Sequence, residues 1–68
     1  MKKDYFKVET VTLYGKVSMT KTFCSIIDAY KAYLEEIGKR IKIDESVTIT
    51  MYKIYDDGSQ IEYKHCEL

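Results

Sequence analysis

The strongest fold signal lies near the C-terminus, where nearly every residue from 46 to 55 is β-branched or aromatic. The turn residues Asp56-Asp57-Gly58 interrupt this run, and residues 59–66 return to extended character. Two such runs separated by a glycine-containing turn predict a β-hairpin. Any fold of this chain must therefore contain an antiparallel pair of strands near its C-terminus.

Two turn types fit the break in this hairpin, and they differ in which side chains share a face. A two-residue turn would place the alternate apolar residues of the first strand beside Glu62, Lys64 and Cys66 of the second. A three-residue loop with Gly58 in the left-handed conformation would place them beside Ile61, Tyr63 and His65. Only the second arrangement gives an apolar face, so we predict the three-residue loop, a type I turn with a G1 bulge.

A helix is predicted in the middle of the chain. Ser25 suits the N-cap, and Asp28 places a negative charge in the first turn. Gly38 either ends the helix or lies inside it, and in both cases the last turn is basic. Apolar side chains recur at helical spacing and form one stripe that we expect to face the core: Ile26, Tyr30, Tyr33, Leu34, Ile37 and Ile41.

The first hairpin is less regular. Its apolar residues change parity along the first strand, from Phe6 and Val8 to Val11 and Leu13, so a simple strand cannot direct all four to one core. Either a β-bulge near Glu9 and Thr10 restores the alternation, or the outer face of the strand carries Val11 and Leu13. The turn is expected at residues 14–16.

Together these elements predict one α+β domain over residues 1–68, with the order ββαββ. The sheet is four-stranded and mainly antiparallel, and the helix packs on one of its faces. A helix about 10 Å across covers one face of such a sheet and no more, so the other face stays open. The strand order depends on the path taken by the helix, which the sequence leaves undetermined.

The charge balance argues against a dedicated nucleic-acid binder, since 11 basic residues face 11 acidic ones and the two signs are interspersed. No apolar run approaches the roughly 18 residues of a membrane span, and no apolar segment of a signal peptide follows the basic N-terminus. We therefore expect a cytoplasmic protein with Cys24 and Cys66 reduced. A chain rich in lysine and isoleucine, without proline or tryptophan, is typical of small proteins of low-GC bacteria, phages and mobile elements.

No motif predicts a reaction, a cofactor or a metal. His65 and Cys66 are adjacent on a strand and point to opposite faces, so they cannot form a nucleophile–base pair. One histidine and two distant cysteines do not make a zinc site. Residues 56–59 are explained by the turn and lack the further acidic ligands of a calcium loop. We therefore predict that the protein is not an enzyme.

The open sheet face is the predicted contact surface. Thr50, Tyr52 and Ile54 fall on the face opposite the apolar one, and Val11 and Leu13 join them if no bulge turns them inward. Aromatic and aliphatic side chains on an open sheet face are typical of interfaces. The function predicted from the sequence is thus a non-enzymatic protein–protein interaction module that forms a homodimer or binds another protein.

An alternative function is weak binding of single-stranded nucleic acid. Lys39, Arg40 and Lys42 form a basic cluster at the helix end, to which Lys2 and Lys3 would add. Such a cluster could contact phosphates while outward tyrosines stack on bases. Asp44 and Glu45 follow directly and reduce the positive potential, so a solvated helix end is the preferred interpretation.

Overall fold

The computed structural model of the chain describes residues 4–68 and contains four strands and one helix within them. In chain order these are β1 (Tyr5–Thr12), β2 (Val17–Phe23), α1 (Ile26–Lys42), β3 (Val47–Ile54) and β4 (Gln60–Glu67). The strands form one antiparallel sheet in the order β2-β1-β3-β4. The predicted α+β fold is confirmed, and β1 and β3 are its central strands.

The two hairpins close in the same way. In the second, Tyr55 N–H donates to Ser59 O at 2.8 Å and Gly58 has φ 91°, so the loop is three residues long. In the first, Thr12 N–H donates to Lys16 O at 2.8 Å and Gly15 has φ 79°. A positive φ at the third loop position needs glycine. The three-residue loop predicted for the second hairpin is confirmed.

A β-bulge in β4 changes the predicted face pattern of this hairpin. Tyr52 lies opposite Glu62 but Met51 lies opposite Lys64, so Tyr63 is an extra residue in β4. Beyond Tyr63 the side chains of β4 therefore change faces. The expectation that His65 shares the apolar face is wrong, because His65 lies opposite Thr50 on the other face.

The first hairpin also contains a bulge, but in β2. β1 pairs with β3 without interruption, whereas the register between β1 and β2 shifts at Ser18. The irregularity thus lies next to the predicted position, between Thr10 and Val11, but its extra residue is in β2 and does not restore the alternation of β1. The alternative is correct for Val11, which lies opposite Thr48 on the outer face, while Leu13 lies in the turn.

The core lies between the central strands and α1. The apolar core residues are Phe6, Val8, Ala29, Tyr33, Val47, Ile49 and Met51. Thr10 of β1 is also fully buried on the helix side of the sheet, opposite Ile49, and its Oγ1 has no hydrogen-bond partner among residues 4–68.

Both ends of α1 are capped. Ser25 Oγ accepts hydrogen bonds from the N–H groups of Ile27 and Asp28 at 3.2 and 3.4 Å, which confirms the predicted N-cap. Gly38 lies inside the helix. Asp44, with φ 55°, ends the helix in the left-handed conformation, and its N–H donates to Ile41 O at 3.0 Å.

Within the described residues, no helix is long and apolar enough to cross a membrane.

Candidate functional site

The face that α1 presents to the sheet differs from the stripe predicted for it. Ala29, Tyr33 and Glu36 are the buried residues of the helix. By contrast, Tyr30 is 40% exposed and Leu34 is 48% exposed. At 100° per residue, the buried direction lies roughly 80° from the centre of the predicted stripe. The stripe therefore straddles the edge of the helix–sheet contact, and much of it faces solvent.

An ion-pair cluster at the helix end holds α1 in this orientation. Arg40 Nε donates to Glu36 Oε1 at 2.5 Å, and Arg40 Nη1 donates to Glu45 Oε1. Arg40 Nη2 also donates to the hydroxyl of Ser18, the bulged residue of β2, at 3.3 Å. Arg40 and Glu36 lie on the same helix face as Tyr33, and the hydrogen bond to Ser18 is the contact of this cluster that joins that face to the sheet.

α1 leaves the last strand of the sheet largely uncovered. It packs mainly on β1, β2 and β3, while β4 lies at the sheet edge. Ile61 and Tyr63 of β4 point to the helix side, yet Tyr63 is 45% exposed. Apolar side chains of two neighbouring elements thus meet at the surface instead of in the core.

We call this surface the α1–β4 groove and define it by Ile26, Ile27, Tyr30, Tyr63 and Lys64. Leu34, one turn after Tyr30, continues its helix wall. Lys64 Nζ lies 5.3 Å from the centroid of the Tyr30 ring, so the cation spans the groove and packs on its aromatic wall.

The core supports both walls of the groove. Tyr30 stacks on buried Tyr33 with ring centroids 6.2 Å apart and an interplanar angle of 19°. Tyr63 packs edge-on against Phe6, also with centroids 6.2 Å apart. Aromatic pairs at these separations are favourable beyond their buried area. The exposed rings are therefore held in place before any partner binds.

The residues that define the groove include one cation and no anion. Burial raises the pKa of Tyr33, with further contributions from Cys66, Tyr30 and Glu62. The Tyr33 hydroxyl behind the groove is therefore uncharged at neutral pH. Lys64 is the one cation among the residues that define the groove.

The open sheet face holds the residues predicted from the sequence but exposes little of them. Thr50 and Ile54 are each 5% exposed. Tyr52 is half-buried under Lys7, whose Nζ lies 4.8 Å from the ring centroid and 3.3 Å from Gln60 Oε1.

Val11 is half-buried on this same face, so the structure brings together four of the five predicted residues. Leu13 is 76% exposed in the turn and stands apart from them. That this face binds a partner stays a prediction.

The basic cluster is divided in the structure. The guanidinium of Arg40 is occupied by Glu36, Glu45 and Ser18, and the hydrogen bond with Glu36 is the main cause of its raised pKa. Lys39 and Lys42 are exposed. Lys2 and Lys3 lie outside the described residues. Two of the three predicted phosphate contacts thus remain accessible.

His65 and Cys66 are neighbours on β4 but point to opposite faces of the sheet. His65 is on the open face, with Nδ1 3.4 Å from Glu62 Oε1 and Nε2 3.2 Å from Glu67 Oε1. Cys66 is half-buried beside Ile49 on the helix side, Cys24 is exposed, and both are free thiols. Among residues 4–68, no group of three acidic, histidine or cysteine side chains is arranged to hold a metal ion.

Sequence reasoning missed the groove because it assigned the whole helix stripe and Tyr63 to the core. One signal was available. Ile26 and Ile27 are adjacent, so both cannot face the same sheet. A helix with apolar residues on more than one side has more apolar surface than one sheet face covers.

No protein-family profile, curated protein or solved structure matches this chain. The function is therefore inferred from the geometry of the residues described above.

Proposed function

We propose that this protein is a non-enzymatic protein-binding module whose contact surface is the α1–β4 groove. The observation that carries the proposal is the run of exposed apolar side chains beside the uncovered edge strand, with Ile27 74% exposed and Leu34 48% exposed. Contiguous apolar surface with a polar surround marks interaction sites on soluble proteins. Tyrosine is also among the residues that contribute most to binding at interfaces.

The groove is favoured over the open sheet face on the basis of what each would gain by burial. Ile54 and Thr50 are already covered, so a partner at the open face would remove little apolar area from water. It would also desolvate Lys7 together with its two partners, Glu9 and Gln60. At the groove, a partner would cover apolar rings and aliphatic side chains around one lysine.

The absence of catalysis is part of this proposal. His65 has two glutamates as neighbours, and the adjacent Cys66 lies on the other face of the sheet. A nucleophile needs a base within hydrogen-bond reach, and this arrangement does not provide one. We also place the protein in the cytoplasm, because the free thiols of Cys24 and Cys66 are compatible with a reducing compartment.

Site-specific photo-crosslinking in the source cells tests this proposal. Benzoylphenylalanine in place of Ile27 reports contacts at the groove, and the same group in place of Tyr52 reports contacts at the open face. Ile27 is exposed, so the replacement there leaves the core intact. We expect protein adducts from position 27 and few or none from position 52.

Each result has a clear meaning. Adducts from position 52 alone would move the contact surface to the open face predicted from the sequence. An absence of protein adducts at both positions would overturn the protein-binding function. Adducts with nucleic acid instead of protein would favour the alternative based on Lys39 and Lys42.

A further inference from the structure

We infer that the protein bound at the α1–β4 groove is a second copy of this chain, joined through β4 in an antiparallel pair with two-fold symmetry. The inference rests on the proposed function, which makes the groove a contact surface, and adds the identity and register of the partner. Such pairing would merge two sheets of the order β2-β1-β3-β4 into one continuous sheet.

The free edge of β4 carries backbone groups that are available for pairing. In an antiparallel pair, the backbone groups of alternate residues point to the neighbouring strand. Hydrogen bonds from Tyr55 N–H to Ser59 O and from Leu68 N–H to Val47 O fix this alternation at the two ends of β4. The residues whose backbone groups point away from β3 are therefore Gln60, Glu62, His65 and Glu67.

The outward set is symmetric about the bulge at Tyr63. This bulge separates Glu62 from His65 by one extra residue, while the outer members of the set keep the regular spacing of a strand. The side-chain faces follow the same symmetry. Tyr63 and Lys64 both contact the helix side, and the four outward residues lie on the open face. We therefore place a two-fold axis perpendicular to the sheet, midway along the strand between Tyr63 and Lys64. This axis brings the outward backbone groups of one copy opposite those of the other. It also keeps the two helix sides on one face of the joined sheet and the two open faces on the other.

The side chains paired by this axis are chemically complementary. Glu62 lies opposite the partner's His65, and Gln60 lies opposite the partner's Glu67. On the helix face, Ile61 lies opposite the partner's Cys66.

At the centre of the pair, Lys64 lies beside the partner's Tyr63. The register opposes no two like charges, which would destabilise a strand pair. The chain also has zero formal net charge, so two copies do not repel each other.

The bulge also explains why a second copy fits better than another strand. A bulge in an edge strand disturbs pairing with a regular strand, and natural sheets use it to prevent such contacts. Two identical bulges that meet at a two-fold axis lengthen both strands equally, so the hydrogen-bonding groups stay aligned. The feature that disfavours an ordinary strand is thus compatible with this chain itself.

The same axis brings the two grooves together. Both copies of α1 lie on one face, and because each packs over β1 and β3, about four strand spacings or about 19 Å separate their axes. Subtracting a helix diameter of about 10 Å leaves a trough about 9 Å wide. Tyr30 and Leu34 of each copy line its walls, and Tyr63 and Lys64 its floor. Pairing therefore gathers the exposed apolar side chains of the two copies along one trough.

Disulfide trapping tests the register with Ile61→Cys in a Cys24→Ser background. Across the two-fold axis, position 61 and the partner's Cys66 form a non-hydrogen-bonded pair with Cα atoms about 4.5 Å apart, within disulfide range. Within one chain the two positions lie about 17 Å apart along β4, so they cannot join each other. With oxidised glutathione as the oxidant, the two thiols lose two protons and two electrons to form the bond.

We expect this variant to form disulfide-linked dimers about tenfold more efficiently than the matched control Glu62→Cys, whose side chain points to the other face. Mass spectrometry should place the bond between the introduced thiol and Cys66, and adding Cys66→Ser should abolish it. Both test positions are exposed, so neither variant disturbs the core.

Two results would overturn the inference. Equal trapping from positions 61 and 62 would indicate random collision in place of the inferred register. No trapping from position 61, combined with photo-crosslinks from position 27 to a different protein, would exclude the second copy while leaving the proposed function in place.

Discussion

Thr10 shows how the fold tolerates a polar side chain at a buried position. It lies between Met19 and Ile49 on the helix side of the sheet, is fully buried, and its hydroxyl finds no partner among residues 4–68. Glu36, also buried, differs because Arg40 pairs with it. A buried hydroxyl without a partner costs free energy, whereas a paired carboxylate recovers much of its desolvation cost.

Thr10→Val should therefore stabilise the protein, since valine keeps the shape of the side chain and removes the unsatisfied hydroxyl. We expect the free energy of unfolding to rise by about 1 kcal/mol, and Tm by about 4–8 °C. Thermal unfolding followed by circular dichroism measures this. Thr20→Val, at an exposed position of β2, is the matched control and should change stability by less than about 0.5 kcal/mol. A loss of stability in Thr10→Val would mean that the hydroxyl makes a favourable contact.

At the scale of single elements, local chemistry was predictable and longer-range geometry was not. The N-cap at Ser25 and the loop ending in Gly58 depend on residues that are neighbours in the chain, so the sequence identified both. The rotation of α1 depends on Arg40 meeting Ser18 of β2, a contact between residues 22 positions apart. Periodicity predicts that a helix has an apolar stripe, but its orientation is decided by such tertiary contacts.

The positions of the two β-bulges were also not predictable from the sequence. The parity change in β1 indicated that the first hairpin is irregular, but the extra residue, Ser18, lies in the partner strand. In β4 nothing in the alternation signalled Tyr63 as the extra residue. The sequence assigned both Tyr30 and Tyr63 to the core, but the rotation of α1 exposes Tyr30, and Tyr63 is exposed because α1 does not extend over β4.

Two glycine substitutions test the element boundaries. Gly38 lies inside α1, and beyond the adjoining helix backbone a Cβ there would meet no atom of the described chain within 4 Å, so Gly38→Ala should stabilise by about 1 kcal/mol. Gly58 has φ 91° in the β3–β4 loop, so Gly58→Ala should destabilise by about 1–2 kcal/mol. Urea unfolding measures both. A destabilising Gly38→Ala would contradict a helix that continues through Gly38.

The small size of the chain favours self-association. A chain of about this length buries only about 60% of its unfolded surface, so its stability is sensitive to further apolar contact. The single chain has 4839 Å² of accessible surface, and a standard interface of about 800 Å² per partner would remove about a sixth of it from water. The α1–β4 groove and the free edge of β4 are the parts of the described chain where this contact is best supported.

Self-association is tested most directly by the molar mass of the wild-type protein in solution. Light scattering during size-exclusion chromatography at about 100 µM would detect a dimer of micromolar affinity. The chain has a mass of 8.0 kDa, so pairing through β4 predicts twice that value, with a shift toward 8.0 kDa on dilution. A mass of 8.0 kDa at every concentration would contradict self-association.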